Sequence, residues 1–206
     1  MKLYYNPMST NGRLAHVTAV HLGTQLETHV VEMAKGEHKT PEYLAINPNG
    51  KVPALVDGDF KLWESGAIAT YLCELAPKSN FYPTDPKGRA DVARWNSWKL
   101  AHFGPAVGGI VWERFMKKVL MNQTADEDKV KASEEQFNLF APVMNAHLET
   151  HQWLVNDTLT LADFIVGCPM TYAQAANVSL ERYPHIKAWW DRLSQVPAWQ
   201  KTAPKM

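Results

Sequence analysis

Asn47-Pro48-Asn49-Gly50-Lys51-Val52-Pro53-Ala54-Leu55-Val56-Asp57, followed after four residues by Leu62-Trp63-Glu64-Ser65-Gly66-Ala67-Ile68, holds the turn, the strand and the helix start from which the rest of the chain can be read. Proline cannot donate to a sheet ladder and belongs at a strand's first residue, an edge or a bulge, yet Ala54-Leu55-Val56 reads as a buried strand. Chain physics alone favours a trans Val52-Pro53 bond. A cis bond there would turn Val52 so that its N–H and C=O face outward, free to pair with an extended peptide as an added strand. Downstream, Glu64-Ser65 heads the run Gly66 to Leu72, whose apolar positions recur at helical spacing. A serine at a helix start caps orphan N–H groups, and such an N-terminus attracts a carboxylate. By itself Ser65 is a helix cap. Joined to Val52-Pro53, it becomes one wall of a site for a small peptide, not a nucleotide.

Working outward, residues 2–6 read as a strand, 12–22 as a helix, 27–32 as an alternating strand and 41–46 as a short helix. Residues 54–57 and 60–63 read as a hairpin around Asp57-Gly58-Asp59, and 65–76 as a helix. That order, βαβαββα, makes residues 1–76 one α/β domain. Residues 77–88 carry three prolines among turn formers and read as a linker. Beyond them, segments 89–121, 125–151, 160–176, 182–193 and 196–202 all have helical patterning, the first bent at Gly104-Pro105, so residues 89–206 predict an all-helical second domain.

Composition limits the function classes. Of the 206 residues, 21 are basic and 21 acidic, so no global field attracts nucleic acid or an anionic membrane, and any anion must be held by a local site. No run approaches the roughly 18 apolar residues of a membrane span, and the start Met-Lys-Leu-Tyr-Tyr-Asn alternates like a strand instead of a signal peptide. A cytoplasmic protein is expected. The two cysteines, Cys73 and Cys168, are too few for a disulfide framework and sit in apolar helical contexts, as buried free thiols do.

The first strand-to-helix turn, Asn6-Pro7-Met8-Ser9-Thr10-Asn11-Gly12-Arg13, places hydroxyl groups at the positive end of a helix. A thiolate lying against such N–H and O–H donors is stabilised, which lowers a thiol's pKa below about 8.5. Ser9 can equally serve there as an N-cap.

Residues 1–76 resemble the thioredoxin-like N-terminal domain of a cytosolic glutathione transferase, and Gly36-Glu37-His38-Lys39-Thr40-Pro41-Glu42-Tyr43-Leu44-Ala45-Ile46-Asn47-Pro48 is most similar to the phi class. The resemblance continues at Asn156-Asp157-Thr158-Leu159-Thr160-Leu161-Ala162-Asp163-Phe164, similar to that family's capping box and hydrophobic staple, in which Thr160 and Asp163 are structural. By similarity to serine-type members, Ser9 would donate to the glutathione sulfur. His38 and Lys39 would meet the glycyl carboxylate, assisted by Lys51. Val52, set by Pro53, would pair its backbone with the cysteinyl part, Ser65 would take the γ-glutamyl carboxylate and Glu64 the ammonium. Arg13 would support the turn.

The chain departs from related patterns in places. Thr10 stands where bacterial beta-class members carry a cysteine, which removes a mixed disulfide at that position. Asn49 stands where phi members usually place an aromatic that serves dimer contact. Tyr4 and Tyr5 could supply the hydroxyl, as in tyrosine-type members, or pack in the sheet. Met8, Trp112, Phe115, Met116 and Tyr172 could form an apolar wall for the electrophile, although such a stripe also describes plain core. The resemblance implies a homodimer in which glutathione is the co-substrate and no metal is used. It implies conjugation of the thiolate to hydrophobic electrophiles; a non-catalytic glutathione-binding module and a glutathione-dependent peroxidase or isomerase use the same residues.

Overall fold

The computed structural model describes residues 1–77 and 79–204. Lys78, in the expected linker, and residues 205–206, at the end of the expected helical domain, lie outside the described residues. The chain divides into two units, Met1–Tyr82 with Val196–Met206, and Pro83–Gln195.

In the first unit β1 (Lys2–Tyr5), α1 (Thr10–Leu22), β2 (Glu27–Val30), α2 (Pro41–Leu44), β3 (Ala54–Asp57), β4 (Phe60–Trp63) and α3 (Ser65–Glu74) follow the order expected of a thioredoxin-like domain. The sheet order is β2-β1-β3-β4, with β1 parallel to β2 and antiparallel to β3. The hairpin pairs Asp57 with Phe60, and Gly58 takes φ of 58° in the two-residue loop, a conformation glycine adopts without a Cβ penalty. Leu3 and Leu55 of the sheet are fully buried against Ala15 and Ala19 of α1 and Ile68 and Leu72 of α3. Between β2 and α2 the chain makes two 3-10 turns, Met33–Lys35 and Glu37–Lys39, which have no hydrophobic periodicity to betray them in the sequence.

In the second unit α4 (Pro86–Trp98) starts inside the expected linker, because Asp85 accepts the Gly88 N–H at 2.9 Å and Pro86 sits in the first turn, where a missing N–H does no harm. The expected single helix 89–121 is α4, α5 (Gly104–Val111) and α6 (Lys117–Met121), joined by π-helical segments Lys99–Phe103 and Trp112–Met116. Wider π turns insert residues without breaking the helical run, and the first lies immediately before Gly104-Pro105. Asn122 ends the run in the left-handed region. Then come α7 (Glu127–Thr150), α8 (Leu161–Gly167) and α9 (Pro184–Ser194). The expected helix 160–176 stops at Gly167 and continues as a 3-10 turn, Cys168–Tyr172, since Pro169 cannot extend an α-helical ladder. Asp163, fully buried, accepts the Thr160 N–H at 2.8 Å, the Leu154 N–H at 3.1 Å and the Trp189 indole N–H at 2.9 Å. The capping box thus also anchors a loop and α9.

The last helix, α10 (Pro197–Lys201), belongs to the first unit, whereas the sequence placed it in the helical domain. The reason is local. Arg13 on α1, buried, donates to the Trp199 carbonyl at 2.8 Å and lays its guanidinium over the Trp199 ring at 4.1 Å.

Candidate active site

The turn Asn47 to Lys51 is closed from within. Asn47, 2% exposed, accepts the Asn49 N–H at 3.1 Å and its side-chain amide at 3.0 Å, an Asx turn. Gly50, at φ of 58°, lies where an added Cβ would stand 3.0 Å from the His38 carbonyl. This close approach brings the 3-10 turn that carries His38 and Lys39 alongside. The Lys51 carbonyl accepts twice, from the Tyr43 hydroxyl at 2.6 Å and from the Asn47 amide at 2.7 Å. Burial pushes the Tyr43 hydroxyl up to about 12, so it stays a donor.

After this turn Val52-Pro53 is cis, against the trans preference of an isolated X-Pro bond. Among the described residues neither the N–H nor the C=O of Val52 has a hydrogen-bonding partner. Across from it, α3 begins at Ser65 after Glu64, whose φ of 72° puts a non-glycine residue in strained backbone and whose side chain makes no cap bond. The first N–H groups of α3 are therefore left without a side-chain acceptor from Glu64. Ser65, 6% exposed, has its hydroxyl 3.4 Å from the Asn11 side-chain oxygen. Asn11, Asn47, Asn49, Lys51, Val52, Pro53, Glu64 and Ser65 line one cavity of about 140 Å³. Unpaired backbone, a helix N-terminus, a lysine and a carboxylate there suit a small zwitterionic peptide.

The Ser9 turn stands at the head of α1. Asn6 accepts the Met8 N–H at 3.0 Å and donates to the Val31 carbonyl at 3.1 Å, which fixes the turn on β2's exit. Ser9 caps α1, its Oγ accepting the Gly12 N–H at 3.0 Å. An oxygen that already accepts is a better donor through its own proton, so capping and donation to a sulfur are compatible. Tyr4 packs on His29 and Tyr43, and Tyr5 on His16, with ring centroids 5.1, 6.2 and 5.0 Å apart. Both rings are engaged in packing, Tyr4 across the sheet and Tyr5 against α1.

Of the residues singled out from sequence, Lys51, Val52, Pro53, Glu64 and Ser65 share the cavity, whereas Ser9, His38 and Lys39 do not line it. Asn49, read from sequence as a departure at a dimer position, is turned to Asn47. Phe115 stacks on Tyr172 at 5.1 Å within the second unit, and Trp112 is 43% exposed on the π segment that also carries Met116. Asn11, Asn47 and Tyr43 escaped sequence reasoning. The Asn-Pro-Asn-Gly turn could have signalled Asn47; nothing local marks the other two. Cys73 and Cys168 are both buried and neither is in a disulfide, and burial pushes the Cys73 thiol up to about 12, which leaves it unreactive.

Residues 1–74 match the family model described as glutathione S-transferase, N-terminal domain, and residues 104–197 the model described as glutathione S-transferase, C-terminal domain. A probable glutathione S-transferase, GSTF2, of Oryza sativa subsp. japonica is 33% identical over 208 residues, spanning 100% of this chain and 97% of that protein. The crystal structure of glutathione transferase F7 from Populus trichocarpa is similar with a TM-score of 0.91 and 30% identity, over 98% of this chain and 97% of that one. Glutathione S-transferase I from mais, in complex with an atrazine glutathione conjugate, is similar with a TM-score of 0.89 and 31% identity, over 98% and 95%.

Proposed function

The chain belongs to the glutathione S-transferase family, with phi-class relatives, and from that premise we propose that the cavity beside Val52 takes glutathione and the Ser9 turn holds its sulfur as a thiolate. The activity is conjugation of glutathione to hydrophobic electrophiles. The observation that carries the site assignment is the meeting, in one cavity, of Val52's unpaired backbone groups with the uncapped start of α3.

In this reading the cysteinyl unit pairs with Val52 as an added strand. The γ-glutamyl carboxylate takes the Ser65 hydroxyl and the first N–H groups of α3, and Glu64 takes the ammonium. Lys51 reaches the glycyl carboxylate, with His38 and Lys39 on the turn packed against Gly50. At Ser9, the hydroxyl and the α1 N-terminus stabilise the sulfur's charge, so more of the bound thiol is ionised at neutral pH. The thiolate then attacks the electrophile directly, with catalysis arising from the lowered pKa and from proximity. Within the second unit the Phe115–Tyr172 stack, with Trp112 and Met116, supports an aromatic face for the electrophile.

Calorimetry with glutathione tests the site. Ser65→Ala is expected to weaken binding roughly tenfold or more, the loss of a hydrogen bond to a charged group; unchanged affinity would move the γ-glutamyl end elsewhere. No helix among the described residues is long and apolar enough to cross a membrane. A cytoplasmic homodimer completes the proposal. Two cysteines outside any disulfide support a reducing compartment, and Leu139 and Val143, one turn apart on α7 and 62% and 55% exposed, support a partner face.

A further inference from the structure

We propose that Tyr43 and Asn47 are positioning residues for glutathione, acting on it through the Lys51–Val52 peptide. The inference rests on the reading that Val52 pairs with the ligand. A carbonyl oxygen has two lone-pair directions, and that of Lys51 gives both to protein donors, the Tyr43 hydroxyl at 2.6 Å and the Asn47 amide at 2.7 Å. The cis bond is the following one, Val52-Pro53, so the Lys51–Val52 peptide is trans and planar, and its C=O and N–H point in opposite directions. Pinning the carbonyl therefore aims the N–H. That N–H belongs to a residue on the cavity wall and has no acceptor among the described residues.

The two donors are themselves immobilised. Asn47 is 2% exposed and its oxygen holds Asn49; Tyr43 is 3% exposed and its ring meets Tyr4 edge-on at 6.2 Å. Tyr43 does not line the cavity, so its effect on a ligand must pass through the peptide. A peptide held in advance needs no reordering on binding, and its release costs affinity. The Ser9 turn is built on separate hydrogen bonds, to Asn6 and Gly12, so the chemistry of the sulfur is spared.

The test uses Tyr43→Phe in the full chain, with glutathione as the probe. The expected result is a three- to tenfold rise in both the glutathione Kd and its KM, kcat within twofold at saturating glutathione, an unchanged pKa of the bound thiol, and a displaced Val52 amide resonance in the free variant. If Tyr43→Phe does not fold, backbone relaxation of the wild-type Val52 amide decides: it is expected to be as rigid in the free protein as with glutathione bound, and exchange broadening confined to the free protein would overturn the proposal. Unchanged Kd with a displaced Val52 resonance would overturn the proposal, as would a fall in kcat without a rise in KM. Wild-type protein that fails to bind glutathione would instead sink the site assignment itself.

Discussion

Gly50 is the glycine of the turn that carries Lys51 and Val52, and one added carbon would disturb it. Its φ of 58° suits glycine, and a Cβ would meet the His38 carbonyl at 3.0 Å and Leu44 Cδ2 at 3.4 Å. Gly50→Ala should therefore cost about 1–2 kcal/mol in urea unfolding and weaken glutathione binding, because the turn it closes carries Lys51 and Val52; wild-type values of both would show that the turn relaxes freely. Glu64 presents the converse case, a non-glycine residue held at φ of 72° beside the cavity. Much of this was legible residue by residue. Val52-Pro53, Glu64-Ser65 and the Asn47–Gly50 turn each have a local chemical signature. Tyr43 and Asn11 have none, since their roles depend on a carbonyl and a hydroxyl brought near only by folding.

At the scale of elements, Asp163 makes α8 sensitive to pH. Burial pushes its carboxyl up from its ordinary 3.8 to about 6, despite the hydrogen bonds that favour the charged form. Between those values the folded chain keeps a proton that the unfolded chain has released, so this group's contribution to stability falls as pH rises through the window. From pH 4 to 7 wild type should lose roughly 2 kcal/mol more than Asp163→Asn, at about 1.4 kcal/mol per unit of pKa difference. Equal pH slopes in denaturant titrations of the two would contradict this. The capping box was legible because its two partners are three residues apart. The π segments were not: the apolar positions of 89–121 read as one helix, whereas i→i+5 turns are set by backbone closure, as at Gly104, whose N–H bonds the Lys99 carbonyl. There an added Cβ would stand 2.6 Å from that oxygen.

For the molecule as a whole, the sequence told which half is α/β and which half is helical, but not that the last helix returns to the first unit. Arg13 holds it there through Trp199, a partner 186 residues away that no local pattern could announce. Oligomeric state is likewise written in exposed surface. Sedimentation velocity should give twice the monomer mass, and Leu139→Glu with Val143→Glu should shift it to one; a wild-type monomer would remove the dimer from the account. In the proposed reaction a single thiol, that of bound glutathione, carries the chemistry. The most direct test is titration of bound glutathione by thiolate absorbance across pH, in wild type and Ser9→Ala. A bound-thiol pKa well below that of free glutathione is expected in wild type, rising back toward the free value in Ser9→Ala. An unshifted thiol in wild type, or a shift that survives in Ser9→Ala, would contradict it.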